Sequence, residues 1–288
     1  MDKADALLNE ITQNLEAGEV VPYLGPGMLD IVPGGSPVPN SPEALVQGLV
    51  AKVSVPHKIR GNLTAAAQFI ENFKHRKSVV HLMEEAFRPD VEPAPLHRYL
   101  AGLTKEPLLI VDAWYDNAMT HALQPRRLWG QVQGISQAEH LGAWTHYFRK
   151  DGAQGDAFEA DTWPVILYKP LGSIFPAKNF LVSDSDYVEV LTEIDIQTPI
   201  PEAVQQLRTG RHFLFLGCRF RTQLERTFAR QIMKRSSDRH WAVLPGELSR
   251  NEARFLKEQN IKRLDMPLDV FQDLLIGAQT MEPVAVAG

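Results

Sequence analysis

Two glycines, a set of carboxylates, one lysine and one cysteine stand where this chain could do chemistry. Val20-Val21-Pro22-Tyr23-Leu24-Gly25-Pro26-Gly27-Met28 is an apolar run that ends in two glycines one residue apart. Glycine reaches positive φ and lets a ligand approach the backbone closely, so a strand running into Gly25 and Gly27 suits a dinucleotide-type cradle. The third glycine of the usual fingerprint is missing, and Pro26 removes an amide that a phosphate would want. A strand-to-loop turn that binds nothing is the competing reading. Three later apolar runs lead into Asp112-Ala113-Trp114-Tyr115-Asp116-Asn117, Lys169-Pro170-Leu171-Gly172-Ser173 and Gly217-Cys218. Asp112, Asp116 and Asp186 could converge with Lys169 at the sheet's edge, although capping helices is the plainer role for them. Arg219 beside Cys218 could lower the thiol pKa, against a plainer role as a small packing residue. His97, His121, His140 and His146 lack partners at metal-ligand spacing, so no metal site is expected.

Alternating strands and helices must position these residues. Leu7, Leu8, Ile11 and Leu15 mark one face of a helix over Ala6–Ala17, and Gly18 ends it before the first strand. Pro/Gly-rich Val32–Asn40 is a loop placed where a lid could sit, and Ser41-Pro42-Glu43 has the form of a helix cap. Helical patterns fill about 41–104 without a convincing strand, which makes this block an insertion after the first strand. Pro107–Val111, Pro164–Tyr168, His212–Leu216 and His240–Leu244 read as buried strands, and Ile261–Leu264 as a short last one. Leu128–Ile135 and Ala143–Arg149 alternate as an antiparallel pair within about 126–150, and Lys150–Asp161 reads as a flexible connection. Trp129, Trp144 and Trp163 flank that pair, as core or as interface aromatics. The pattern implies a single α/β domain over 1–278 with a doubly wound, mostly parallel, Rossmann-like sheet, followed by a disordered tail at 279–288. Ligands of such sheets bind beyond the carboxyl ends of the strands, and four candidate sequences stand at such ends.

Bulk composition narrows the function classes. The 288 residues are 44% hydrophobic and 23% charged with a net charge of −5, which gives no electrostatic footprint for nucleic acid. The single cysteine cannot form an internal disulfide. No run approaches the roughly 20 apolar residues that span a bilayer, and no secretion signal is visible. A cytoplasmic protein without membrane or nucleic-acid partners is expected.

The order of the strand ends resembles that of the bacterial sirtuin-like family, which includes NAD-dependent deacylases and NAD-hydrolysing proteins. Leu24-Gly25-Pro26-Gly27-Met28-Leu29 is similar to the family's Gly-Ala-Gly-x-Ser turn, and Asp112-Ala113-Trp114-Tyr115-Asp116 to its Thr-x-Asn-Tyr-Asp. Lys169-Pro170-Leu171-Gly172 resembles Lys-Leu-His-Gly, Asp184-Ser185-Asp186-Tyr187 an Asp-Tyr helix start, and Phe215-Leu216-Gly217-Cys218 a Gly-Tyr-Ser-type strand end. The resemblance implies a vestigial NAD or ADP-ribose pocket at Gly25, Gly27, Asp116, Gly172 and Gly217. It also puts Trp114 and Leu171 where the family carries its catalytic asparagine and histidine. Leucine has no proton to move and an indole N–H only donates, so a pseudoenzyme with no catalytic residues and no cofactor is expected. Such a protein acts by binding a protein partner, and the family's gene contexts make a nitrogenase component one candidate. Two alternatives stay open: an NAD- or nucleotide-cleaving enzyme whose base is Asp112, Asp116 or His97, and a nucleotide sensor that binds without turnover.

Overall fold

Five consecutive buried residues, Val20–Leu24, form strand β1, and the rest of the sheet is laid out on both sides of it. The structure is a computed structural model that describes residues 3–136, 142–196 and 200–280. Along the chain follow β2 (Leu108–Asp112), β3 (Gly130–Gly134), β4 (Thr145–Arg149), β5 (Gln154–Gly155) and β6 (Val165–Lys169). Then come a small antiparallel pair, β7 (Gly172–Ser173) with β8 (Asn179–Phe180), and β9 (His212–Leu216), β10 (His240–Val243) and β11 (Ile261–Leu264). One nine-stranded sheet has the order β11-β10-β9-β1-β2-β6-β3-β4-β5. Its neighbours are parallel except β3 with β4 and β4 with β5, in keeping with the doubly wound α/β reading.

Strand alternation divides the core into two layers. Val21, Tyr23, Leu109, Val111, Ile166, Tyr168, Phe213 and Phe215 face one layer. Against them pack α2 (Pro42–Lys52), α3 (Leu63–Lys74), α4 (Arg76–Phe87), α8 (Asp184–Ile196), α9 (Glu202–Arg208), α10 (Gln223–Ile232) and α11 (Arg250–Glu258). Val20, Leu24, Leu108, Ile110, Val165, Leu167, Leu214 and Leu216 face the other, with α1 (Lys3–Glu16), α5 (Pro95–Gly102), α6 (Ala118–Leu123) and α12 (Leu268–Thr280). The helical block between β1 and β2 is therefore split: α2–α4 cover one face and α5 the other. Ser41 caps α2 as its sequence indicates, its hydroxyl accepting from the Ala44 amide at 3.2 Å with Pro42 in the first turn.

The expected antiparallel pair is present as β3 with β4, and β3 also pairs in parallel with β6, which joins the pair to the main sheet. The connection after β4 differs from the sequence expectation. Lys150–Asp161 is ordered by local bonds, forming β5 and a short helix, α7 (Ala157–Ala160). Asp156 caps α7 by accepting the Glu159 amide at 2.9 Å, and Arg149 Nε donates to Glu159 Oε2 at 2.7 Å. Trp129 and Trp163 are buried core residues. Helix α12 extends to Thr280, while 281–288 lie outside the described residues, as does His140. No helix among the described residues is long and apolar enough to cross a membrane.

The insertion is fastened to the sheet domain through α8. Arg76 Nη1 donates to both Asp186 oxygens at 3.0 and 2.8 Å and to Glu71 Oε2 at 3.1 Å, and its Nη2 donates to the Phe180 carbonyl. Asp186 Oδ2 also accepts the Val182 and Ser183 amides at 2.8 and 2.9 Å. Asp186 thus caps α8 and holds α4 at once, apart from the other strand-end carboxylates. Removing its carboxylate leaves two buried amides without an acceptor and the largely buried guanidinium with only Glu71 and the Phe180 carbonyl, a change that costs about 3–5 kcal/mol. Asp186→Ala is therefore expected to lose most of the stability of the fold in urea titrations, while Glu71→Ala, at the half-buried end of the clamp, loses less than about 2 kcal/mol.

Candidate functional site

The topology reverses at β1, which has β2 on one side and β9 on the other, so the switch-point crevice of this sheet lies between β1 and β9. The two strands are in register from Val20 with His212 to Leu24 with Leu216. Their pairing does not stop there. The Gly25 amide donates to the Leu216 carbonyl and the Gly27 amide to the Gly217 carbonyl, both at 2.9 Å. Pro26 begins a 3-10 helix over Pro26–Ile31, whose Met28 amide turns back to the Gly25 carbonyl at 3.1 Å. A Cβ on Gly25 would meet the Gly217 oxygen at 2.6 Å, and one on Gly217, at φ +62°, would meet the Met28 nitrogen at 2.3 Å. Three glycines let the two backbones touch at the switch point. Cys218 is buried behind them, its Sγ 3.5 Å from the Tyr23 and Leu216 carbonyls, and burial pushes its thiol well above the usual range. That is the packing role.

The neighbouring crevice, between β2 and β6, holds charge. Asp112 and Lys169 continue the apolar face of Leu108-x-Ile110 and Val165-x-Leu167, and the register that pairs Val111 with Tyr168 sets them side by side. Lys169 is fully buried and donates to Asp112 Oδ2 at 2.7 Å and to the Asp116 carbonyl at 2.9 Å. Asp112 Oδ1 takes the Trp114 amide at 3.2 Å, and Asp116 Oδ1 the Ala118 amide at 2.9 Å, starting α6. Burial pushes the Asp112 carboxyl up while the Lys169 ammonium pulls it back. His97, on α5, is buried beside this group and its Nδ1 accepts the Ala94 amide at 3.2 Å. Asp112, Asp116 and Lys169 converge, and Asp186 does not join them.

Above the strand ends lies Trp114. Its ring packs against Phe87 and Tyr115, and its Nε1 donates to the Pro39 carbonyl at 2.8 Å, holding down the Pro/Gly-rich loop. Tyr115 donates to the Leu181 carbonyl at 2.7 Å, and Leu171 is buried in the same core. Gly172, at φ +83°, comes so close to β8 that a Cβ would stand 2.1 Å from the Asn179 oxygen. The sequence profile of a SIR2-like domain matches residues 108–264, from the first residue of β2 to the last of β11 and more than half of the chain. The chain belongs to the SIR2-like family. No curated protein matches its sequence.

In this SIR2-like domain the Gly25, Gly27, Asp116, Gly172 and Gly217 positions therefore share one end of the sheet, and each has a contact within the fold. His97, which the sequence offered as an alternative base, is buried on α5 between Leu96 and Leu100 and lies near Asp116 and Lys169. Among the described residues no group of three or more His, Cys, Asp or Glu is arranged to hold a metal.

Burial holds His97 down to about 4, and likewise His240, whose Nδ1 accepts the Phe213 amide at 3.0 Å. Both folded values lie below the ordinary 6.5. The unfolded chain therefore takes up protons first, and the stability these neutral rings contribute is lost as pH falls from about 6.5 toward 4. Each is worth up to about 3 kcal/mol over that window. His97→Gln, which keeps an acceptor for Ala94, is expected to flatten roughly half of this loss in denaturation curves measured between these pH values, leaving the His240 share.

Proposed function

We propose that this SIR2-like domain is a non-catalytic member of its family that works by binding a protein partner. The observation that carries the reading is the state of the Gly25 and Gly27 amides, both already bonded to the carbonyls of Leu216 and Gly217. A diphosphate cradle needs free amides aimed at the ligand. Pro26, between them, has none to give. At the positions that the resemblance assigns to the ribose contact and the base stand Trp114, whose indole hydrogen goes to Pro39, and Leu171, which has no titratable group.

A displaced base finds little support. Asp112, Asp116 and His97 are all buried, and their polar atoms hold Lys169, Ala118 and Ala94. A general base must reach the proton it removes. The nucleotide-sensor reading needs the same amides that β9 already holds. For the partner's identity, a nitrogenase component is a candidate on family gene context alone, and a pull-down from a nitrogen-fixing extract that recovers no nitrogenase removes it.

Incubation of the pure protein with NAD, followed by chromatography for nicotinamide, is expected to give release no faster than buffer alone. Turnover above that background, lost in Asp112→Asn or His97→Gln, would replace this reading with the displaced-base enzyme.

A further inference from the structure

The sheet end farthest along from β1, at β4 and β5, carries a surface that the strand-end site does not use. A cavity of about 530 Å3 opens there, with Leu128, Arg149, Lys150, Asp151, Glu159 and Trp163 among its walls. That volume is in the range of binding clefts, which run to roughly 300–1,000 Å3. Large apolar side chains on these elements are left in water: Leu128, in the cavity wall, is 50% exposed, Phe175 39% and Phe158 82%. Phe158 adjoins Glu159 on α7. The Phe175 ring lies on the β4–β5 turn, where a Cβ added to Gly152 would meet its Cζ at 2.9 Å. Apolar groups gathered around one concavity mark a contact surface more than scattered ones do.

The charges around the cleft say what it fits. Arg149 and Glu159 are paired with each other. Lys150 and Asp151, adjacent on the turn, are not: Lys150 donates to the Arg126 carbonyl at 2.6 Å and Asp151 accepts the Ala153 amide at 2.9 Å. Neither meets an opposite charge at ion-pair distance among the described residues. A surface of one sign would call for a partner of the other. This one carries both signs side by side, an arrangement complementary to itself under a two-fold axis. Phe158, 82% exposed one residue before the cleft-lining Glu159, is the apolar group available to fill such a cleft in a second copy. The sheet also ends here without a guard: the opposite edge strand, β11, carries Lys262 and Arg263, whereas β5 offers Gln154 and Gly155. Two residues are too short a strand for edge pairing to hold two copies, so the side chains must do it.

We propose that this face is an isologous dimer surface. Phe158 of each copy enters the other's cleft against Leu128 and Trp163, and Lys150 and Asp151 pair across the axis, twice per dimer. This surface is separate from the strand-end site and does not depend on whether that site is catalytic.

Sedimentation velocity over roughly 1–100 µM protein tests it. The wild-type chain is expected to dimerise. Phe158→Ser, Lys150→Asp and Asp151→Lys are each expected to raise the dissociation constant at least about tenfold. The reversed pair K150D/D151K is expected to regain the wild-type constant, and a mixture of the K150D and D151K proteins to form a heterodimer that neither forms with itself. Thermal melts check that each variant folds, and Phe158→Ser, at the most exposed position, carries the test if a charge reversal does not. The proposal is overturned by a wild-type chain that stays monomeric throughout. It is equally overturned by a dimer whose constant ignores all three single variants, or by a reversed pair no better than its parents.

Discussion

Two hydrogen bonds, from the Gly25 amide to the Leu216 carbonyl and from the Gly27 amide to the Gly217 carbonyl, run the β1–β9 ladder past the ends of both strands. An amide has one proton to donate, and leaving it unmet away from water costs about 1–3 kcal/mol. The turn after β1 must therefore lie against the turn after β9, and only glycine lets it come so near. Gly217 takes φ +62° to present its carbonyl, and the 3-10 helix after Pro26 carries the chain away from the contact. The crevice at the topological switch is filled by the protein's own backbone.

The next crevice is filled in a different way. Where β2 and β6 end, Asp112 and Lys169 occupy the position of the next apolar pair and face one another in the core. A buried ion pair seldom adds net stability, but it is costly to break on one side. It ties the ends of the two strands together, and the Asp116 carbonyl draws the start of α6 into the same bond set. His97 closes that face in its neutral form. On the opposite face Trp114 and the Pro39 carbonyl hold the loop down. Both faces of this end of the SIR2-like sheet are thus fastened by bonds within the fold.

Much of the fold was legible because strand period and turn chemistry agree. Leu108-x-Ile110-x-Asp112 and Val165-x-Leu167-x-Lys169 place both charges on one face, so their meeting follows from period two once β2 and β6 are neighbours. The fate of the glycines was not legible. A glycine that admits a phosphate and one that admits a neighbouring backbone are the same residue in the same pattern, and only the partner carbonyls distinguish them. The Trp114 to Pro39 bond spans 75 residues, beyond any local signal. Polar composition hid β5 and α7, whose order comes from Asp156, Glu159 and Arg149 bonding to one another rather than from apolar burial.

Amide hydrogen exchange at Gly25 and Gly27, read by NMR with and without millimolar ADP-ribose, bears most directly on the closed crevice. Slow exchange at both amides, with resonances that do not move when the nucleotide is added, is the predicted result. Rapid exchange, or shifts at these two glycines that saturate with ADP-ribose, would mean that the amides are free for a ligand and would contradict the account.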